Sequence, residues 1–433
     1  MRKHLIGAAV AAVLASTSLA AHADALSDLF TQGHIDGQLR AYYFTRDFHG
    51  GGSNLSAFSG AALVDMQTGS LNGFSLGASF ATANSFGTTP TNVDSTLMGV
   101  SDSVSAASQA YLQYKNALMQ IRAGYQYLNT PWMGGSDSRV IPASYNAISA
   151  VFMPAKGWDI YALRSFGWKS RTSGGVFSDN LYYPSTYAGD AMYGGIGGLP
   201  ATAHEANGTW ALGTSYANAG FKGQAWYYNF LNFARMGYLE GSYTLKTGTG
   251  FNPFVGAQYV DETSGGNNYL VENNVKQFGV GGTRVKAGAW GVIAGLDIPR
   301  GSISVAYNKI QNESGAIGGG AIISPYTAAY ATDPLYTTSM IRGLVEMGPG
   351  HAWKVKFTYN ILDNLQVIAA YADYTTTNRG NSHNTYFDVI YKLDGYLKGL
   401  TLRDRIEQAD GGLGLNPGNK PFTYNRVMVT YAF

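Results

Sequence analysis

A set of basic side chains recurs at spacings that matter chemically. Arg403 and Arg405 are two residues apart, as are Lys354 and Lys356, and Arg40, Lys115, Arg122, Arg164, Lys392 and Arg426 fall within or beside stretches where apolar and polar residues alternate. A guanidinium presents a planar fork of donors that matches a carboxylate. Several such groups along one wall can pass an anion from one to the next with no deep trap. The competing role for each base is an ion pair with a wall acid such as Asp36, Asp65, Glu240 or Asp388. No comparable signal exists for catalysis: His34, His49, His204, His351 and His383 are scattered, with no nucleophile or second metal ligand at a useful spacing. The chain is therefore expected not to be an enzyme and to need no cofactor or metal.

The elements that would position these bases are strands. In Tyr424–Phe433, Val427, Val429, Tyr431 and Phe433 share one parity, whereas Arg426, Met428, Thr430 and Ala432 share the other. Successive strand side chains point to opposite faces, so one face is apolar and ends in two aromatics, and the other carries the arginine. Leu400 and Leu402 oppose Arg403 and Arg405 in the same way, and Ile35, Gly37, Leu39, Ala41 and Tyr43 oppose Asp36, Gln38, Arg40 and Tyr42. Further segments lie at 58–66, 74–80, 110–115, 119–127, 145–153, 158–166, 210–216, 221–230, 235–246, 253–260, 275–286, 290–298, 303–307, 353–360, 365–371 and 387–393. Tight turns are expected at 68–73, 116–117, 218–220, 299–301 and 362–364, and long loops at 129–144, 169–207 and 311–338.

Hydrophobic residues make up 45% of the chain, with 31 Tyr, 20 Phe, 7 Trp and 56 Gly, whereas charged residues are only 13%. That is about half the ~25% charge of ordinary soluble domains. No run after residue 23 is long and apolar enough for a spanning helix, so the apolarity is spread over alternating strands. The pattern implies an all-β transmembrane antiparallel barrel with short periplasmic turns and long extracellular loops. Segments of about ten residues number roughly eighteen, with sixteen as the alternative, and a barrel of that size has a lumen too wide for side chains alone to fill. An inward Arg is favoured by default, because at the midplane of a lipid-facing wall it costs about 2–4 kcal/mol. Tyr111 and Tyr238 lie at lumen parity, as girdle residues or as an apolar slide opposite the bases.

Residues 1–23 have a basic start (Arg2, Lys3), an apolar run from Leu5 to Leu19 and the small-residue site Ala21-His22-Ala23. They read as a signal peptide cleaved between Ala23 and Asp24, leaving 24–433 as a single barrel domain. The absence of cysteine suits export through an oxidising compartment. Loss of Arg2 and Lys3 takes the formal charge from +2 to zero, which gives no reason to expect a nucleic-acid partner.

Several stretches together resemble the OprD family of outer-membrane channels. Leu39-Arg-Ala-Tyr-Tyr-Phe-Thr-Arg-Asp-Phe48 is similar to that family's opening strand, and Ser136-Asp-Ser-Arg-Val-Ile-Pro142 to its "DSRLLP" loop. Tyr227-Tyr228 through Leu239 resembles its central hairpin, Tyr396–Arg405 its penultimate strand, and Asn425-Arg426 its closing one. The resemblance implies an 18-stranded barrel, an inward-folded third loop, and a row of bases guiding carboxylate-bearing solutes. Asp137, Ser138 and Arg139 would then sit at the constriction, although a Ser-Asp-Ser turn pairing Asp137 with Arg139 explains them equally well. Tyr431 and Phe433 would form the terminal signal read by the outer-membrane barrel-assembly machinery. The chain departs from the family in its insert at 169–207 and in ending at Phe433.

The expected protein is a porin integral to the outer membrane of a Gram-negative bacterium. It would pass small hydrophilic solutes, anionic ones preferentially, as a monomer or a loose homotrimer surrounded by outer-membrane lipid. A non-specific diffusion porin is the alternative, followed by a barrel enzyme or adhesin.

Overall fold

Eighteen strands hydrogen-bond in sequence order into one closed antiparallel barrel in the computed structural model, which describes residues 29–99, 101–135, 139–169, 171–172, 208–323 and 333–433. In chain order they are β1 His34–Asp47, β2 Leu55–Gln67, β3 Phe74–Asn84, β4 Ser103–Lys115, β5 Met119–Gln126, β6 Ser144–Ala155, β7 Trp158–Lys169, β8 Thr209–Asn218 and β9 Phe221–Phe230. They continue as β10 Ala234–Thr244, β11 Asn252–Ser264, β12 Lys286–Ile298, β13 Gly301–Ile310, β14 Gly350–Leu362, β15 Leu365–Thr376, β16 Gly380–Lys392, β17 Leu400–Gly411 and β18 Phe422–Ala432. Of the two expected strand numbers, eighteen is the one observed. The segment expected to be a strand at 275–286 is not one. Only Lys286 joins β12, while 275–285 belongs to the loop 265–285, which contains the short helix Tyr269–Glu272, capped by the Asn268 side chain.

Closure comes from β18 pairing with β1, Arg40 opposite Thr430 and Phe44 opposite Arg426. At the end of this seam Phe433 and Gly37 exchange both backbone hydrogen bonds at 3.0 Å. The Phe433 ring lies over Gly37, so close that a Cβ there would meet it at 2.3 Å. A glycine is needed for this contact, not for its dihedral freedom.

One rim carries tight turns at 116–118, 156–157, 219–220, 299–300 and 363–364. At the third of these Ala219 and Gly220 both have positive φ, 47° and 91°, the pairing that a two-residue hairpin requires. The opposite rim carries the longer connections, 85–102, 127–143, 265–285 and 311–349.

The alternation read in the sequence sorts the two faces. Outward are Leu76, Leu112, Ile160, Leu212, Leu239, Val255, Val292 and Val305, bounded near one rim by Trp158, Tyr216, Tyr243 and Tyr431 and near the other by Trp210, Tyr227, Tyr259, Trp290 and Trp353. A continuous apolar band between two aromatic girdles, on a sheet with no free edge, is the surface of a transmembrane barrel. The buried core lies inside, where the loops of the long rim pack against the wall.

Candidate functional site

The inner faces of β14–β17 and the loop 311–349 enclose a recess of about 240 Å³. Lys354 and Lys356 from β14 and Arg403 and Arg405 from β17 line it, together with Asn384, Tyr386 and Asp388 from β16 and the loop residues Thr338, Ser339 and Met340. Period-two spacing accounts for the pairs: 354 and 356, like 403 and 405, are successive inward positions of one strand. Among the described residues Asp388 is the one acid on this lining. Its fully buried carboxylate receives Arg403 at 2.9 and 2.5 Å and Arg405 Nε at 3.5 Å. Arg405 Nε also donates to the Tyr386 hydroxyl at 3.1 Å, and that hydroxyl donates to Asp388 at 2.5 Å. Four cations against one carboxylate leave the recess cationic, while the Asp388–Tyr386 pair holds both guanidiniums in place.

The other expected bases divide by what they hold. Arg40 is buried and donates from Nη1 to the carbonyls of Arg139 and Val140, each at 3.2 Å, and so anchors the loop 127–143 to the wall. Arg139 itself is buried with its guanidinium 6.0 Å from the Phe44 ring centre. Arg426 is buried between the rings of Phe44 and Tyr424, at 5.2 and 4.3 Å, and stands directly opposite Arg405. It is four residues from Thr430, the partner of Arg40, so the arginines of the seam are spread along it, not bunched at Arg40. Arg122 lies further round, its Nε on Gln113 at 2.7 Å and its charge over Tyr111 at 4.7 Å, in a recess shared with Asp36 and Asp65. Lys115 and Lys392 end their strands at the short-turn rim, exposed.

Arg164 is not in the lumen. It stands opposite Ile148 and Trp210, both exposed on the outer wall, and packs over Phe166 and Trp210 at 4.6 and 5.2 Å. The expectation that every base points inward ignored its parity: Ile160, Ala162, Arg164 and Phe166 alternate with Asp159, Tyr161, Leu163 and Ser165. Near an interface the cost of an outward Arg falls to about 0–1 kcal/mol, which permits this placement. Asp137 and Ser138, the cleavage site Ala23–Asp24, and most of the 169–207 insert lie outside the described residues.

Several residues that hold the site were not picked out in the sequence. Glu407, buried on β17 at the same inward parity as Arg403 and Arg405, accepts the Met340 backbone N–H at 2.7 Å. Glu262 does the same for Ile323 at 2.8 Å. Lys354 donates to the Thr338 carbonyl at 2.7 Å and the Tyr374 hydroxyl to that of Thr337 at 2.7 Å, so the loop 311–349 is bound to the wall at many points. Arg46 pairs with Asp94 at 3.2 Å and fixes the loop 85–102. Parity alone would have found Glu407 and Arg46. Which loop atom each meets is a long-range fact that no local pattern encodes.

Three loop carboxyls have altered acidity. Burial drives the Asp94 carboxyl upward, but the Arg46 guanidinium and the hydroxyls of Thr96 and Tyr424 outweigh it and hold it below the ordinary carboxylate range. Burial pushes Asp333 up to about 6, against the opposing pull of the Leu335 N–H, Thr338 and Lys354. Burial, reinforced by Asp333, drives Glu346 well above the usual range.

Lumenal aromatics lie flat against the wall. Tyr111 covers Gly77, its register partner on β3, and Trp226 covers Gly213 on β8. Tyr238 is buried inside the barrel and donates to Glu240 at 3.0 Å, so neither it nor Tyr111 is a girdle residue.

No family model and no curated protein sequence matches the chain. Solved structures do. OccK9 (OpdG) of Pseudomonas aeruginosa aligns with a TM-score of 0.76 at 15% identity over 94% of this chain and 99% of that one. A BenF-like porin from Pseudomonas fluorescens Pf-5 aligns at 0.73 and 13%, over 94% and 99%. OpdK of Pseudomonas aeruginosa, solved with vanillate, aligns at 0.72 and 14%, again over 94% and 99%. OccK2 (OpdF) of the same organism, solved with glucuronate, aligns at 0.70 and 13%, over 94% and 99%. At such identities the likeness is one of backbone, and it spans nearly the whole barrel. The chain has the fold of the OprD-family porins, the family its scattered motifs resemble.

Proposed function

We propose that this protein is a passive outer-membrane channel for small hydrophilic solutes that favours anionic, carboxylate-bearing ones. The observation that carries the reading is the recess at which Lys354, Lys356, Arg403 and Arg405 meet a single carboxylate beside an inward-folded loop. A solute carboxylate entering there meets fixed guanidinium forks already oriented by Asp388 and Tyr386, so little ordering is needed on arrival. Its binding is shallow, because Asp388 already satisfies part of each guanidinium, and shallow binding is what lets a solute leave again. Arg426 extends positive potential along the seam, and Arg40 contributes by fixing the loop that narrows the path. Two of the structural neighbours were solved with carboxylates, vanillate and glucuronate, which supports the choice of solute class.

On this reading the long-loop rim faces the cell exterior, and Tyr431 and Phe433 at the closing seam are what the assembly machinery reads. The protein performs no catalysis. Permeation into proteoliposomes tests the reading with two solutes of nearly equal size, glucuronate and glucose. Faster entry of glucuronate is expected. Equal rates would favour a general diffusion pore, and no entry of either would overturn the channel.

A further inference from the structure

The outward position of Arg164 belongs to a pattern. Following the register across the outer wall, Arg164 on β7 stands opposite Trp210 on β8, Trp210 opposite Asn229 on β9, and Asn229 opposite Arg235 on β10. Arg235 in turn stands opposite Thr263 on β11, and Thr263 opposite Lys286 on β12. Partners in register share a face, so one continuous row on the lipid side carries three cations interleaved with Trp210, Asn229 and Thr263. At the spacing of neighbouring strands Arg164 and Arg235 are roughly 14 Å apart, and Arg235 and Lys286 roughly 10 Å. The row meets the long-loop rim at its far end, where Arg235 and Lys286 are the second and first residues of their strands.

The charges differ in how they are held. Lys286 is paired with Asp261 at 2.6 Å. Arg164 rests on the faces of Phe166 and Trp210, both about half exposed. Arg235 is exposed and forms no ion pair among the described residues. Asp261 shares the outer face of β11 with Thr263 and offsets one of the three charges, whereas on the opposite side of the outer wall the outward acids Asp373, Asp404 and Asp410 lie on β15 and β17. A cationic row confined to one sector, level with an aromatic girdle, has no use in solute passage because it never meets the lumen.

We propose that this row docks a lipid bearing more than one headgroup phosphate, drawn from the leaflet on the long-loop side. Resting on the membrane reading above, the assignment follows from charge complementarity and position. Arg235 and Lys286 offer donors to one phosphate, Arg164 to a second across the Asn229 gap, and the acyl chains lie against Leu212, Tyr227, Leu239 and Tyr259 below. Asn229 and Thr263 supply neutral polar groups between the charges.

The test uses the full-length barrel in neutral detergent, with lipid A as the probe and a phosphate-free lipid A backbone beside it. Lipid A should bind the wild type more tightly than the phosphate-free compound, and the triple variant R164Q/R235Q/K286Q should bind it at least about tenfold more weakly. The charge-preserving variant R235K/K286R should stay close to wild type, which excludes misfolding as the cause of a loss. Equal binding of the triple variant and wild type, or of the two lipids, overturns the proposal. Single-channel conductance measured in parallel separates the two readings. A barrel that binds lipid A through this row but conducts nothing sinks the channel and leaves the lipid site, whereas one that conducts without discriminating phosphate sinks the lipid site alone.

Discussion

On the proposed reading, Asp388 sets how much of the recess charge a solute can use. Two guanidiniums share its carboxylate, so its removal would leave both arginines to the solute. Asp388→Asn is therefore expected to raise anion selectivity while loosening the orientation of Arg403. Reversal potentials check this, and an unchanged selectivity would show that the arginines do not face the conducting path. The converse variant, Arg403→Ala with Arg405→Ala, should slow glucuronate entry several-fold and glucose entry much less; equal slowing would make the pair structural. Parity in the sequence placed Arg403, Arg405, Lys354 and Lys356 on one inner wall, and they do converge. The same rule puts Arg164 on the outer face, with its apolar neighbours at positions 160, 162 and 166. Partners on the neighbouring strand are not encoded locally: the register sets Asp388 opposite Arg405, and Arg403 reaches the same carboxylate diagonally.

The loops are held to the wall by specific side chains, and that makes them testable as elements. Arg40→Met removes both hydrogen bonds to the carbonyls of Arg139 and Val140, charge-assisted bonds of about 1.5–3 kcal/mol each. Faster amide exchange in 139–143 is expected, with the barrel strands unchanged. The loop 311–349 should respond to pH through Asp333. A carboxyl whose folded pKa is raised to about 6 favours the folded loop fully when pH is below its unfolded value, near 4, and loses that contribution as pH rises through about 6. Protection of the amides in 333–347, relative to their intrinsic exchange, should therefore fall between pH 4 and 7, and Asp333→Asn should flatten that fall. Asp94 has the opposite sign: its lowered pKa stabilises the loop 85–102 at neutral pH and fails on acidification. Strands and turns were legible because period-two alternation and Gly or Asn turns are local signals. The stretch 275–285 shows the limit, since a loop buried against an inner wall selects apolar residues much as a strand does.

At the scale of the whole molecule, eighteen strands make a wall wider than its own side chains can fill, and the loops of one rim fold inward to narrow it. Composition announced the wall, through few charges and many aromatics, but not the path, because a lumen is defined by which loop reaches which strand. On the proposed reading, what is cationic along that path among the described residues is the recess of Lys354, Lys356, Arg403 and Arg405 and the seam beside it. The most direct test is the reversal potential of the purified protein in a planar bilayer under a tenfold potassium chloride gradient. A conducting pore whose reversal potential has the sign of chloride preference is the predicted result; a potassium-selective pore, or a bilayer that stays silent, would contradict the account.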